Sequence, residues 1–317
     1  MANNKMFLKT QKRKKNFITE ILGHKAAYLL CLPAIVYTIV YGYATYPYAL
    51  IAFQRYHYQT GIFRSRWVGF TNFEFFFGSP RALQVTVNTL RINILSIIFT
   101  TVLAVLFALL FNEVRNRRFA KINQSTFLFP HFLSWVLVSY MIYAIFSTDL
   151  GIANQILRFF GFSGKSWYSD PQPWPWIIVF ARVWKGLGMS VVIYLATITG
   201  MDREIYESAT VDGANRFQQN MYITIPLLMP TVAILTLLAL GGMFSADFAM
   251  IYSIIRDNGL LYPTADVIDT YVFRALRRTG DPSHAMAVGL YQSLMGFILV
   301  FGSNRIVKKY FREGALF

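Results

Sequence analysis

Cysteine and histidine are both scarce in this chain. Of its 317 residues only Cys31 is a cysteine, which excludes an intrachain disulfide and any metal site built from several cysteines. The four histidines do not have the spacing of metal ligands: His24, His57, His131 and His284. We therefore expect neither a disulfide nor a metal site.

Charged residues are also scarce. Only 14% of the residues are charged, against about 25% in soluble domains, while 55% are hydrophobic and 17% aromatic. This composition predicts an integral membrane protein. The net charge of +15 comes from basic blocks between long apolar runs, as in the loops of membrane proteins. We expect the lipid bilayer, and not nucleic acid, as the partner.

Six apolar stretches are long enough to cross a bilayer, which takes roughly 20 helical residues. The first is too long for a signal peptide and lacks a cleavage signature, so we expect it to be retained. The fourth stretch contains Arg182 and Lys185, and the fifth contains Asp247. The sequence therefore predicts an all-α polytopic protein with six transmembrane helices, at residues 26–53, 92–112, 122–148, 174–201, 229–252 and 285–304.

The distribution of basic residues predicts the orientation. Segments 1–25, 113–125, 202–226 and 305–317 hold 17 Lys and Arg residues, whereas the alternate segments hold only 10 over a greater length. Short basic loops stay in the cytoplasm. We predict a basic cytoplasmic segment at 1–25, a transmembrane domain at 26–304 and a cytoplasmic tail at 305–317.

The loop at 202–226 has an unusual composition for a cytoplasmic segment. It holds four acidic residues and two basic ones, although cytoplasmic loops are normally basic. Small side chains at Ser208 and Ala209 allow another backbone to approach closely, and Asp212-Gly213 favours a turn. We predict two short helices joined by that turn, with Pro226 and Pro230 near the start of the next span.

Motifs for catalysis are missing. Gly164-Lys165-Ser166 matches the end of a phosphate-binding loop, but Phe159 occupies the position of the first glycine. The segment is also predicted to lie outside the cell, where it would not meet cytoplasmic ATP. No GxSxG or HExxH pattern is present. We expect no catalytic residue in this chain.

The 202–226 loop carries a family resemblance. The loop contains Glu207-Ser208-Ala209, then Gly213 after three residues, Ile223 after nine more and Ile225-Pro226 after one more. This spacing matches the EAA loop of bacterial ABC importer permeases. Only Ser208, in place of Ala, and Ile225, in place of Leu, depart from the pattern. The chain is further similar to the oligosaccharide-uptake branch of these permeases at residues 129–135, 184–186, 212–218 and 265–271.

The resemblance implies a type I ABC importer permease with the MetI-like fold. Such a subunit lies in the bacterial inner membrane and pairs with a second permease, two ATPase subunits and an extracytoplasmic solute-binding protein. ATP and Mg²⁺ bind the ATPase, so this chain needs no cofactor of its own. The loop seats a coupling helix in the ATPase, with Glu207 facing a basic residue there. The implied coupling residues are Glu207, Ser208, Ala209, Asp212, Gly213, Ala214, Ile223 and Pro226.

A sugar path should combine polar groups with aromatic faces at membrane depth. Our candidates are Arg182, Trp184 and Lys185 in the fourth span, where Gly186 and Gly188 could interrupt the helix, and Phe244 and Asp247 in the fifth, after Gly241-Gly242. Two cationic side chains suit an acidic oligosaccharide, and permeases of this branch include importers of alginate or pectin fragments. Structural pairing within the bundle is the alternative for each charge.

Two other functions remain open from the residues alone. An ion-gradient-driven transporter would need acidic groups in its spans, and only Asp247 qualifies. A multipass enzyme acting on lipid would need Asp247, Arg182 and His131 to meet in one cavity. Uptake that depends on an ATPase would distinguish the importer from both alternatives.

Overall fold

The computed structural model describes residues 25–114 and 116–310. The rest of the predicted N-terminal segment and most of the predicted C-terminal tail lie outside the described residues. The chain divides into one unit that ends at Leu50 and a second that begins at Ile51. The first unit consists of α1 (Lys25–Tyr37), a π turn (Thr38–Gly42) and most of a 3-10 helix (Tyr43–Phe53). Together these segments form one apolar helix of 29 residues, long enough to cross a membrane.

Four further helices of the described residues have the length and composition of membrane spans. Ser79 caps the first of them by accepting from the Arg81 N–H group, and Pro80 occupies the first turn, where no N–H group is needed. The helices are α4 (Pro80–Asn112), α8 (Trp174–Thr199), α11 (Ile225–Gly241) with its N-terminal extension from Arg216, and α15 (Pro282–Tyr310).

The predicted third span is a bent pair. It comprises α5 (Arg117–Leu128), a 3-10 turn (Phe129–Phe132) and α6 (Trp135–Phe146), with an angle of 98° between the two arms. Pro130 has no N–H group to continue the helix, and Ser134 starts α6 by accepting from the Leu137 N–H group. The predicted third span at 122–148 is therefore sharply bent, a shape that the sequence did not indicate.

The predicted fifth span also differs. It begins with α10 (Arg216–Gln219) and a π turn (Asn220–Thr224), and α11 then ends at Gly241. The wider π turn accommodates Pro226, whose ring would clash in a regular helix. Residues 242–247, here called the break segment, separate α11 from α12 (Phe248–Ile255). A fifth span is therefore present at Arg216–Gly241, and the predicted bounds of 229–252 were wrong.

The remaining elements connect the spans. Two-residue strands β1 and β2 pair antiparallel, and the other elements are short helices. They are β1 (Gln54–Arg55), α2 (Gly61–Arg64), β2 (Arg66–Trp67), α3 (Thr71–Phe77), α7 (Ile152–Phe159), 3-10 turns at Trp167–Ser169 and Gly259–Leu261, α9 (Arg203–Val211), α13 (Tyr262–Ala265) and α14 (Ile268–Thr279).

Three connecting regions meet on one side of the bundle. The Tyr56 N–H group donates to Ser283 Oγ at 3.0 Å, Asn258 donates to the Tyr168 carbonyl at 2.8 Å, and Thr264 donates to the Pro171 carbonyl. We call this side, formed by residues 54–79, 147–173 and 256–281, the distal side. The 202–226 loop lies at the other ends of the spans.

Close helix packing holds the bundle together. Helix α4 packs along α8, and a buried cluster unites α4, α6, α8 and α12. A Cβ atom on Gly188 would lie 2.0 Å from the Phe127 carbonyl oxygen, and one on Gly296 would lie 2.6 Å from the Gly241 carbonyl oxygen. The glycines of α8 do not interrupt the helix, contrary to the possibility raised by the sequence, because α8 is continuous and Gly188 serves close packing.

Candidate functional site

A cavity of about 280 Å³ lies between α4, α8 and α11, three of the helices that are long enough to cross a membrane. Its lining is mostly apolar, and we call it the polar cavity for the hydroxyl and guanidinium groups in its wall. Its wall combines hydroxyl groups and one guanidinium group with apolar side chains. The polar side chains that line it are Ser96, Thr100 and Thr101 of α4 and Arg182, Ser190 and Tyr194 of α8. A cavity with this lining can offer hydrogen bonds to a polar solute inside the bundle.

Helical periodicity places these groups on one wall. On α8, Arg182, Gly186, Ser190 and Tyr194 follow one another at intervals of four residues, so they share one face. Ser96 is 2% exposed, and its hydroxyl has no hydrogen-bond partner among the described residues. Buried polar groups normally have partners, so this hydroxyl is an exception on the cavity wall. The four-residue spacing is visible in the sequence, but Ser190 and Tyr194 were not among the predicted path residues.

Arg182 is held at the cavity by Asn93, which is 1% exposed. The Arg182 guanidinium donates to Asn93 Oδ1, and Asn93 Nδ2 donates to the carbonyls of Met243 at 2.7 Å and Ser245 at 3.1 Å. One amide therefore connects the cavity wall to the break segment. No signal in the sequence pointed to Asn93, because all of its partners lie on other helices or in the break segment.

The break segment is held by side chains from three further helices. Asp269 of α14 accepts from the Ala246 N–H group at 2.7 Å, and Gln292 of α15 donates to the Phe244 carbonyl at 2.8 Å. Trp135 of α6 donates to Asp247 at 2.5 Å. Burial raises the pKa of Asp269, which lies between the spans, and the hydrogen bonds from Ala246 and Gln292 oppose that shift. Asp269 and Gln292 were also absent from the predicted site.

The other predicted path residues do not line the polar cavity. Lys185 donates to the His131 carbonyl at 2.9 Å and lies 5.1 Å from the centre of the Trp135 ring. Trp184 borders a different cavity of about 430 Å³, which is lined only by apolar side chains of α6 and α8. Phe244 packs against Tyr291, and Asp247 also caps α12 by accepting from the Met250 N–H group at 3.0 Å. Of the five candidates, only Arg182 reaches the polar cavity.

The 202–226 loop has the predicted local structure, in which α9 and α10 are joined by a turn. Asp202 caps α9 by accepting from the Glu204 N–H group, and Asn215 and Gln218 form a capping box at α10. Gly213 has φ +84°, a conformation that favours glycine. The polar residues at these positions therefore determine the shape of the loop.

Hydrogen bonds inside the loop tie α9 to the start of the fifth span. Gln219 is 3% exposed and donates to Thr210 Oγ1 at 2.9 Å and to the Ala214 carbonyl at 3.1 Å. The hydroxyls of Tyr206 and Thr224 lie 3.0 Å apart. These contacts connect α9 to the start of the helical segment that continues into α11.

The outer surface of the loop is open among the described residues. Glu207, Ser208, Asp212 and Gly213 are exposed, Ala209, Ala214 and Ile223 are half-buried, and Pro226 is exposed. Val211 and Phe217 are 88% and 68% exposed. Large apolar side chains beside an acidic residue and small residues are typical of a protein contact surface.

Among the described residues, no group of three or more His, Cys, Asp and Glu side chains could hold a metal ion. Hydrogen bonds of Asn93 link Arg182 at the cavity wall to the break segment. Their arrangement can bind and position a polar solute.

Comparison with known proteins gives one family. Residues 101–312 match the family described as "Binding-protein-dependent transport system inner membrane component". The match covers the bent third span, the polar cavity's wall on α8 and α11, and the whole 202–226 loop.

Two relatives from Bacillus subtilis (strain 168) match over nearly their whole length. "Protein LplB" is 34% identical over 290 residues, which cover 92% of this chain and 91% of the relative. "Polygalacturonan/rhamnogalacturonan transport system permease protein YteP" is 33% identical over 313 residues, which cover 99% and 97%.

A solved structure has the same fold. It is described as "Crystal structure of a bacterial ABC transporter involved in the import of the acidic polysaccharide alginate", with a TM-score of 0.85 and 28% sequence identity. The superposition covers 94% of this chain and all of the matched chain.

Proposed function

Because this chain belongs to the family of inner membrane components of binding-protein-dependent transport systems, we propose that it is a permease subunit that admits acidic oligosaccharides to the bacterial cytoplasm. Its relatives are ABC transporter permeases, which are transport subunits served by a separate ATPase. Substrate class and coupling to partners are the parts that we propose.

The polar cavity between α4, α8 and α11 is the observation that carries the proposal. Its hydroxyl groups match a ligand made mostly of hydroxyls, because each can both donate and accept a hydrogen bond. Ser96 adds a hydroxyl without a hydrogen-bond partner at the same wall.

The acidic substrate class is supported by Arg182, the only charged side chain on the cavity wall among the described residues. A guanidinium group can bind a carboxylate through two parallel hydrogen bonds. The names of two similar proteins point the same way, since one refers to polygalacturonan and the other to alginate.

Coupling is proposed to occur at the 202–226 loop. Exposed Glu207 would pair with a basic residue of the ATPase, while Ser208 and Ala209 allow close approach and Gly213 shapes the turn. A second permease, two ATPase subunits that bind ATP and Mg²⁺, and a solute-binding protein complete the proposed assembly. The hydrogen bonds of Gln219 and Tyr206 give a route by which α9 moves α11.

Reconstituted uptake tests the function. The complete complex in proteoliposomes should import labelled tetragalacturonate only with ATP, its ATPase and the binding protein. Uptake by this chain and its partner permease alone, driven by an ion gradient, would overturn the proposal in favour of a secondary transporter.

The role of Arg182 is tested by comparing two matched variants. We expect Arg182→Gln to impair uptake of an acidic oligosaccharide more than that of a neutral one, by about 1 to 2 kcal/mol, because a charge-assisted hydrogen bond is lost. Lys185→Gln should affect both sugars equally, since Lys185 binds the His131 carbonyl. If Arg182→Gln reduced uptake of the acidic and the neutral sugar equally, as expected for Lys185→Gln, Arg182 would be a structural residue.

The orientation, with both termini cytoplasmic, has its own test. After removal of Cys31, a cysteine at Asn16 or Asn215 should react with an impermeant thiol reagent only after lysis. A cysteine at Ser163 should react in intact spheroplasts. The reverse labelling pattern would invert the proposed topology.

A further inference from the structure

A large cleft lies away from the polar cavity, on the distal side. Its volume is about 750 Å³, within the range of about 300 to 1,000 Å³ typical of ligand sites. Four arginines line it: Arg81 from α4 and Arg274, Arg277 and Arg278 from α14. Asp257 is its one acidic lining residue, so the cleft carries an excess of positive charge.

The position of Arg81 is unfavourable for a cation. Arg81 is the second residue of α4, where the helix dipole presents its positive end and disfavours another positive charge. Basic residues at the end of α14 suit that helix terminus, but they bring Arg277 and Arg278 into the same cleft as Arg81. An anion bound between the two helices would relieve this accumulation of charge.

The four arginines differ in how far their charges are already neutralised. Arg274 forms an ion pair with buried Asp266, and one of its nitrogens, Nη1, is buried without a hydrogen-bond partner. Arg277 lies 3.5 Å from exposed Asp257, a solvent-screened pair of little strength. Within residues 25–114 and 116–310, Arg81 and Arg278 form no ion pair.

Aromatic side chains form the rest of the wall, and their neighbours hold them in place. Tyr271 donates to Ser79 at 3.0 Å, and Phe75 stacks on His284 with 4.2 Å between ring centres. The Arg274 guanidinium lies 4.0 Å from the centre of the Tyr262 ring. Rigid aromatic faces beside free guanidinium groups suit a ligand that has apolar ring faces and carboxylates.

We propose that this distal cleft is a binding site for the carboxylate-bearing sugar rings of an acidic oligosaccharide before it enters the polar cavity. Arg81 and Arg278 bind the carboxylates, and Tyr271 and Phe75 contact the ring faces. The inference rests on the proposed function for its ligand class, whereas the site itself follows from the charges and rings of the cleft.

Direct binding tests the site without transport. The purified complex, without its binding protein, should bind tetragalacturonate, and Arg81→Gln with Arg278→Gln should weaken that binding about tenfold, since hydrogen bonds to charged groups are lost from an exposed site. The fully methyl-esterified tetramer, which keeps the sugar shape and loses the charge, should bind weakly and equally to both proteins. Equal loss for both ligands, or no loss, would overturn the proposal.

Two further variants sharpen the result. Asp257→Asn removes the competing carboxylate and frees Arg277, so tetragalacturonate should bind two- to threefold more tightly, roughly the size of a weak surface ion pair. Arg64→Gln removes an exposed charge on the same side outside the cleft lining and should leave binding unchanged. Weakening by Arg64→Gln to the same degree would mean that only net charge matters, and the site would be rejected.

The cleft could instead contact an acidic face of the binding protein. In that case Arg81→Gln with Arg278→Gln would weaken capture of the unliganded binding protein and leave tetragalacturonate binding unchanged, which overturns the proposal. Failure of ATP-dependent uptake together with retained, arginine-dependent tetragalacturonate binding would count against the proposed function and leave the site supported.

Discussion

The 202–226 loop and the break segment at 242–247 are both turns between helices, yet they are held in different ways. The loop is shaped by near neighbours in the chain, through the Asp202 cap, the Asn215 and Gln218 capping box and the positive φ of Gly213. The break segment is held by α4, α6, α14 and α15, whose contributing residues are Asn93, Trp135, Asp269 and Gln292.

Because of this difference, the loop and the break segment suit different roles. A loop that keeps its own shape can present a fixed surface to another protein, and Val211 and Phe217 are exposed on it. A turn held by four separate helices responds when any of them moves, and Asn93 joins it to Arg182 at the polar cavity. The loop is therefore suited to docking and the break segment to sensing the positions of the spans.

The largest expected effect is on the docking surface of the loop. Glu207→Lys should reverse a charge that is exposed and makes no ion pair among the described residues, so we expect the chain to insert normally and lose its ATPase. Like charges in an interface cost several kcal/mol, and we expect more than about a hundredfold weaker ATPase binding. Copurification and substrate-stimulated ATP hydrolysis measure it.

The matched control for Glu207→Lys is Asp149→Lys, the same charge reversal at an exposed acid on the distal side. This control should retain the ATPase. If Glu207→Lys copurified normally with the ATPase, the 202–226 loop would not be the docking surface. The proposed functional difference between the loop and the break segment would then be rejected.

The next effect concerns the break segment. Asn93→Leu removes two hydrogen bonds to carbonyls of the break segment and the acceptor of half-buried Arg182. Unsatisfied buried polar groups cost about 1 to 3 kcal/mol each, so the midpoint of thermal unfolding in detergent should fall clearly. Asn123→Leu, which removes only a bond to Phe119 in the same helix, should change it little. Equal changes in the unfolding midpoint for Asn93→Leu and Asn123→Leu would show that the hydrogen bonds of Asn93 to other segments do not stabilise the fold.

A pair of glycine substitutions compares the connectors directly. Gly213→Ala should destabilise the loop by about 1 to 2 kcal/mol, because Gly213 has φ +84°. Gly242→Ala should be close to neutral, since Gly242 has φ −95° and an added Cβ would meet its nearest atom at 3.9 Å. Hydrogen exchange of the loop and thermal unfolding measure the two effects, and a larger cost at Gly242 would contradict the proposed difference between the connectors.

The smallest effect is a pH dependence at Asp269. Its pKa is raised by burial, so the folded protein binds this proton more tightly than the unfolded chain. Stability should therefore decline as the pH rises from the unfolded pKa through the raised folded value. Asp269→Asn should flatten this part of the stability curve measured by thermal unfolding, and an unchanged curve would assign the pH dependence to other groups.

Most of the fold followed from residue patterns. Long apolar runs predicted the spans because a bilayer demands about 20 apolar residues from each helix. The two short helices and the turn at Gly213 were predicted from small and turn-forming residues, whose effects act within one helical turn. The family resemblance was confirmed by the match over residues 101–312.

The misses have a common cause. The bend before Trp135 and the break after Gly241 fall inside runs with few or no charges. Hydropathy shows that such a run is apolar, but it does not show where the helix bends or ends. The candidates Trp184 and Lys185 were chosen because they lie close to Arg182 in an apolar span. Trp184 is two positions away and points to another face of α8, and Lys185 donates to the His131 carbonyl instead. The distal cleft joins α4 to α14, and nothing near Arg81 in the sequence indicates that contact.

The sequence by itself determined the membrane location, the number of apolar stretches and the local shape of the 202–226 loop, because these depend on composition and on interactions within a few residues. Tertiary structure alone decided which face of α8 borders the polar cavity, how Asn93 reaches the break segment, and which arginines meet on the distal side. These features depend on side chains from distant helices, whose approach is set by packing, as at Gly188 and Gly296.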